Sequence, residues 1–91
     1  MIGMSTVVRQ AKDQVSCSLN DEVAILNLKS TLYFGLDEVG AHIWQGLAQP
    51  KAVTEICAGV LARFDVAEDQ CRAEVLGFLQ ELDKAGLIEA A

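Results

Sequence analysis

A chain of 91 residues is the size of one domain, and a 52% hydrophobic content excludes a disordered tail. Seven basic residues against thirteen acidic ones give a formal charge of −6, which sets the chain against nucleic-acid phosphates and anionic lipid heads. The longest apolar run, Val23 to Leu26, is far short of a membrane span, and no signal peptide is read at the start, so the expected location is cytoplasmic.

The first half reads as strands. Val7 and Val8 begin a short edge strand. From Val15 to Leu19, apolar Val15, Cys17 and Leu19 alternate with polar Gln14, Ser16 and Ser18, the pattern of a half-buried strand. Asn20-Asp21 is a turn dipeptide, Glu22 to Leu28 makes a second strand, Lys29-Ser30 turns again, and Thr31 to Gly35 makes a third. Tight turns between short strands imply an antiparallel meander. Tyr33 and Phe34 are neighbours in its last strand, so they point to opposite faces; one packs inward, and the sequence leaves open which.

The second half reads as helices. Asp37 is placed as an N-cap, since its carboxylate can accept a hydrogen bond from a free helix-end N–H. Gly40, Ile43, Trp44 and Leu47 then share one helical face. A glycine inside a helix costs roughly 1 kcal/mol, so Gly40 implies close packing. After Gln49-Pro50, Val53, Ile56, Cys57, Val60, Leu61 and Phe64 mark a second helix from about Ala52 to Phe64. Asp65 and Glu68 have capping-box spacing before a third helix. That helix runs to Ala85, with Gly86 as its C′ residue and Leu87 and Ile88 folding back onto the core. The order β-β-β-α-α-α predicts an α+β fold: a three-stranded antiparallel sheet packed on a three-helix bundle.

Little in the sequence supports catalysis. Cys17, Cys57 and Cys71 are odd in number and far apart, which fits neither a zinc or redox pair nor a disulfide framework; all three read as small apolar filler. His42 is the only histidine, at neither metal-ligand nor triad spacing, and reads as a rim residue. The phosphate-binding and hydrolase motifs are absent. The carboxylates sit at helix starts or on outer faces, where caps and solvation explain them. No metal or cofactor is expected, and the protein reads as a binding module, not an enzyme.

Two features point to what is bound. The Thr31–Gly35 strand carries neither proline nor charge to blunt a free edge, and such an edge offers unpaired N–H and C=O groups to an extended peptide. The alternative is that a neighbouring segment such as Thr6 to Arg9 covers it. On the third helix, Cys71, Val75, Phe78 and Leu82 form the core stripe at about 100° per residue. Arg72, Leu76, Leu79 and Asp83 form a second stripe along one shoulder. That shoulder reads as the wall of a groove, with Leu76 and Leu79 as its floor and Arg72 and Asp83 as its polar ends.

The segments LNLKSTLYFGLDEVGAHIWQGL, VTEICAGVLARFDV and AEVLGFLQELDKAGLI together resemble the PqqD-like family, the precursor-peptide recognition elements of ribosomally made, modified peptides. The likeness runs from about residue 14 to 88. It rests on Leu28, Tyr33 and Leu36, on Gly40 to Trp44, on Phe64-Asp65-Val66, and on Phe78, Leu79, Leu82 and Gly86-Leu87-Ile88. PqqD proper usually carries a proline-rich start and a Pro-Glu-Gly segment in the sheet region; the stretch here that corresponds to that segment, Asn27-Leu28-Lys29-Ser30, has no proline. It therefore looks more like the free-standing recognition proteins of lasso-peptide clusters.

The resemblance implies a single winged-helix-like domain over residues 1–91 that captures the leader of a precursor peptide as an added strand. Carried onto this sequence, it implies a strand wall of Thr31, Leu32, Tyr33, Phe34 and Gly35. The helix wall would be Arg72, Val75, Leu76, Leu79 and Asp83. The implied partners are the leader peptide and a leader peptidase and cyclase, with neither nucleic acid nor membrane. One alternative is a peptide chaperone serving a radical SAM enzyme, as in PqqD. Another is a winged-helix DNA-binding regulator, which the acidic third helix opposes: Arg72 and Lys84 are its only cations against Glu68, Asp69, Glu74, Glu81 and Asp83. A small acyl carrier is disfavoured because the chain has no Asp-Ser-Leu tripeptide.

Overall fold

The protein is described from a computed structural model that covers residues 2–19, 22–31 and 33–91, with the side chains of Ser18 and Leu19 left aside. The expected Asn20-Asp21 turn and Leu32 lie outside the described residues.

The meander forms as the alternation predicts. Strands β2 (Gln14–Leu19), β3 (Glu22–Asn27) and β4 (Tyr33–Leu36) make an antiparallel sheet in the order β2-β3-β4. Val23 and Ile25 of β3 are buried, as is Leu36 of β4, so this face meets the helices. Helix α1 (Glu38–Gly46) follows at once. Asp37 caps it as expected, with its Oδ1 accepting the Gly40 N–H at 2.8 Å. Gly40, Ile43, Trp44 and Leu47 are all buried, the stripe the 3.6-residue period requires.

A second sheet was not expected. Val7 and Val8 do not begin an edge strand: β1 (Val7–Gln10) is the central strand of a small sheet. It pairs antiparallel with β5 (Lys51–Ala52) on one side and β6 (Ile88–Ala90) on the other. Both flanking strands are too short to register as alternation, which explains why the sequence does not announce them. This sheet gathers the start, middle and end of the chain. Helix α2 (Val53–Arg63) leaves directly from β5, and Gln10 donates from Nε2 to the Trp44 carbonyl at 2.9 Å.

Helix α3 (Glu68–Lys84) has Ala67 at its N-cap with no side-chain hydrogen bond, so the Asp65–Glu68 capping box does not form. Its other end follows expectation closely. Gly86 takes φ 73°, the Leu87 N–H donates to the Leu82 carbonyl at 2.9 Å and the Gly86 N–H to Asp83 at 3.0 Å. This glycine-terminated reversal satisfies the last helical carbonyls and drives Leu87 and Ile88 into the core.

One buried polar side chain links the meander to that reversal. Asn27, at the end of β3, is the buried polar residue among the described ones. Its Nδ2 donates to the Ala85 carbonyl at 2.6 Å. Its Oδ1 accepts the Lys29 N–H at 2.9 Å and the Ser30 N–H at 3.2 Å, and its carbonyl accepts the Thr31 N–H at 2.8 Å. The amide thus shapes the β3–β4 turn and pins the end of α3 against it. Thr31 holds φ 58° to leave the turn, which is uncommon for a threonine.

Asn27→Ala is expected to lower the unfolding free energy by about 1–3 kcal/mol, since it strands backbone groups that the amide satisfied. Gly86→Ala is also destabilising, because of its positive φ and because a Cβ there would stand 3.0 Å from Asn27 Nδ2. The double variant should cost less than the sum, as both act on one junction. Urea denaturation of the three variants and the parent measures all of this.

Candidate functional site

Among the described residues, no strand pairs with the side of β4 away from β3. Strand β4 pairs with β3 and ends the sheet on that side. Thr6 to Arg9 does not cover it, because β1 belongs to the second sheet. The backbone of β4 is therefore a sheet margin with a row of groups directed away from β3. The Tyr33-Phe34 question also resolves. Phe34 is half-buried and packs on the core, while Tyr33 is 71% exposed on the opposite face. Thr31 and Gly35 are exposed.

The helix part is rearranged. Cys71, Val75, Leu79 and Leu82 are the buried residues of α3. Phe78, expected in the core stripe, is half-buried, and Leu79, expected in the groove floor, is fully buried. The buried arc is centred between Val75 and Leu82 and not on Cys71, so Phe78 falls on its rim. Gly40 supplies the cause. A Cβ there would stand 3.3 Å from the Phe78 Cζ, 3.3 Å from Asp37 Oδ1 and 3.4 Å from the Leu36 Cβ. The missing side chain of Gly40 is what lets the Phe78 ring lean onto the β4–α1 junction. The close packing inferred for Gly40 is thus against α3.

Beside that contact lies a hollow of about 290 Å³, lined by Asp37, Val39, Gly40, Ile43, Val60, Cys71, Glu74, Val75 and Phe78. Of the expected helix wall, Val75 alone lines it. Arg72 sits on the other flank of α3, pairs with Glu68 at 3.0 Å, and lines a separate hollow with Met4, Thr54, Cys57, Ala58 and Leu61. Leu76 is half-buried and Asp83 exposed; their helical spacing puts them on the Arg72 flank. Glu74 and Phe78 also line the hollow, and the sequence reading placed neither of them there.

The outer face of the meander departs most from expectation. The alternation predicts Val15 and Cys17 on the buried side of their strand, whereas both are exposed. The register explains it. Val15 pairs with Leu26 and Leu26 with Tyr33, while Cys17 pairs with Ala24 and Ala24 with Gly35. Val23 and Ile25 claim the inner face, so their neighbours turn outward. Two apolar rows therefore cross the outer face, with Val15 52%, Leu26 38% and Tyr33 71% exposed, and Leu28 at 54% follows on the β3 side. A solvated sheet face normally carries polar residues.

Among the described residues, no cluster of three or more His, Cys, Asp or Glu is placed to hold a metal ion, and no helix is long and apolar enough to cross a membrane. Cys57 and Cys71 are buried side by side, the Cys71 thiol 3.7 Å from the Cys57 carbonyl. Burial, then Cys71, pushes the Cys57 thiol up, which keeps it protonated and unreactive at neutral pH. His42 packs edge-on to Phe64 with ring centroids 5.6 Å apart, a structural contact at the rim of the helices.

The sequence profile of the family described as Coenzyme PQQ synthesis protein D (PqqD) matches residues 22–88, from the first residue of β3 to the first of β6. The chain belongs to the PqqD family. The protein is also similar to the solved structure "TbiB1 in Complex with the TbiA(beta) Leader Peptide", with 33% identity over 89% of this chain and 94% of that one, and a TM-score of 0.83. A second structure, "Lasso peptide synthetase B1 complexed with the leader peptide", shares the fold at 15% identity, covering 90% of this chain and 96% of that one with a TM-score of 0.79. The curated proteins contain no match. As a PqqD-family domain the chain keeps the α+β architecture expected from its sequence, with the second sheet as the addition.

The different surroundings of the two aromatics carry a prediction. Phe34→Ala should cost about 1–3 kcal/mol of stability through lost packing, whereas Tyr33→Ala should stay within about 0.5 kcal/mol. Thermal and urea unfolding of the two variants distinguish them.

Proposed function

We propose that residues 1–91 form one recognition domain that binds the leader of a ribosomally made precursor peptide and hands it to a processing enzyme, without itself changing a covalent bond. The observation that carries this reading is the bare β4 margin beside the Phe78-walled hollow. A peptide added antiparallel to β4 would gain ladder hydrogen bonds from the margin. Its inward side chains would meet Phe34 and the hollow of Val39, Ile43, Val75 and Phe78. Thr31, Leu32, Tyr33, Phe34 and Gly35 are the proposed strand wall. Glu74, Val75 and Phe78 are the proposed helix wall in place of the Arg72 shoulder. Membership of the PqqD family supports the reading, as does 33% identity to a protein whose structure holds a leader peptide.

The lasso-type assignment follows the sequence, which has Asn27-Leu28-Lys29-Ser30 where PqqD proper usually has a Pro-Glu-Gly segment, and the enzyme served is then a leader peptidase acting with a cyclase. The apolar outer face supports a second docking event. It lies on the same meander as β4 but is directed away from the helices, so an enzyme seated there would leave the leader groove open. Such an enzyme would cover Val15, Leu26, Leu28 and Tyr33, which a domain acting alone has no reason to expose together.

About four ladder bonds at roughly 1 kcal/mol net each and two or three apolar anchors at about 1.5–3 kcal/mol each supply the gain. Ordering the leader takes back about 2–5 kcal/mol, and association entropy takes more. The expected Kd is about micromolar to tens of nanomolar. Calorimetric titration with a synthetic leader from the neighbouring precursor gene tests this; no binding at tens of micromolar by the folded protein contradicts it. Phe78→Ala should weaken the leader about 10-fold or more, from the loss of an apolar wall. Leu26→Lys should leave leader affinity intact and reduce capture of the peptidase in the same assay format.

A further inference from the structure

At the β3–β4 end of the outer face there is a second hollow of about 290 Å³, lined by Glu22, Val23, Ala24, Tyr33, Gly35, Leu36 and Asp37. Its shape and charge are not those of the apolar rows beside it. The Tyr33 ring leans along the strand over Gly35: its Cε1 would lie 3.8 Å, and its hydroxyl 4.0 Å, from a Cβ on that glycine. The absent side chain leaves a flat floor with an aromatic wall. Two carboxylates, Glu22 and Asp37, belong to the same lining, and no lysine or arginine does. Asp37 accepts the Gly40 N–H with its Oδ1. Glu22 takes part in none of the ion pairs among the described residues, which are Arg9–Glu89, Lys29–Asp13 and Arg72–Glu68.

An apolar partner laid over this end would strip water from carboxylates that have no counter-charge, which is costly. A partner that brings a cation removes the cost. A guanidinium suits the hollow better than an ammonium, because its flat face can stack on the tyrosine ring while its fork of donors reaches a carboxylate. A second copy of this chain is a poor occupant. It would bring its own Glu22 and Asp37, each chain carries a net −6, and Lys29 is already paired with Asp13 at 3.1 Å.

We infer that the Glu22–Tyr33–Asp37 notch receives an arginine side chain projecting from the apolar surface of the processing enzyme, and that this contact fixes how the enzyme sits on the meander. The inference rests on the reading that the outer face docks such an enzyme, and the test separates the two. The full-length protein loaded with leader is titrated with the leader peptidase encoded beside its precursor, at about 50 and 300 mM salt, where screening differs strongly. Glu22→Gln and Glu22→Lys are compared with the parent; Glu22 is exposed at the start of β3, outside the proposed leader walls. The expected result is that Glu22→Gln weakens the peptidase about 3- to 10-fold and flattens its salt dependence, and that Glu22→Lys weakens it further. Leader affinity stays at the parental value in both. Equal peptidase affinity and equal salt dependence in all three proteins overturn the notch while leaving the docking face standing. A parent that binds leader but not the peptidase overturns both.

Discussion

The structure turns on a buried carboxamide. Asn27 closes the β3–β4 turn with its oxygen and holds the end of α3 with its nitrogen. The two sheets of the domain are separate. Without the amide, the meander would be positioned chiefly by the inner-face packing of Val23, Ile25 and Leu36. With it, the exit of α3 and the entry to β4 are fixed at one point. A buried amide that lost these partners would cost more than it contributes when paired, so the junction has one satisfied geometry. Gly86 belongs to the same arrangement, since its missing Cβ is what leaves room for Asn27 Nδ2.

From that junction the division of the surface follows. Asp37 ends β4 and starts α1, and Gly40 one turn later admits the ring of Phe78. The margin of β4 therefore runs towards a hollow walled by α1 and α3. On the far side of the same strand, Tyr33 and Gly35 face outward with Leu26 and Ala24. One four-residue strand thus separates an inner groove from an outer platform. Alternation of side chains makes this possible: each surface uses every second residue, and the backbone edge between them remains for a third partner, the added strand.

Much of this was legible in the sequence, and the failures are instructive. The three helices, the Asp37 cap and the Gly86 reversal could be read because each rests on local chemistry within one turn. The second sheet could not. Lys51–Ala52 and Ile88–Ala90 are too short to show a period, and their pairing to β1 is a long-range event. The alternation of Val15 and Cys17 was detected correctly but assigned to the wrong side, because a strand's pattern gives two faces without saying which meets the core. Register with β3 decides that, and the outer location of Val15 is what reveals the platform. On α3, a helical wheel fixed the relative angles of Phe78 and Leu79 but not the roll of the helix. The roll depends on packing against other elements, among them the approach of the Phe78 ring to Gly40.

The central claim is that β4 accepts a foreign strand along its margin. Amide hydrogen exchange of the full-length protein, followed residue by residue as a synthetic leader is added to saturation, tests it most directly. Amides within Tyr33–Leu36 directed away from β3 are expected to gain strong protection, in the alternating pattern of a new ladder, while those already paired with β3 change little. A leader that saturates the protein and leaves every amide of β4 exchanging as before would contradict it.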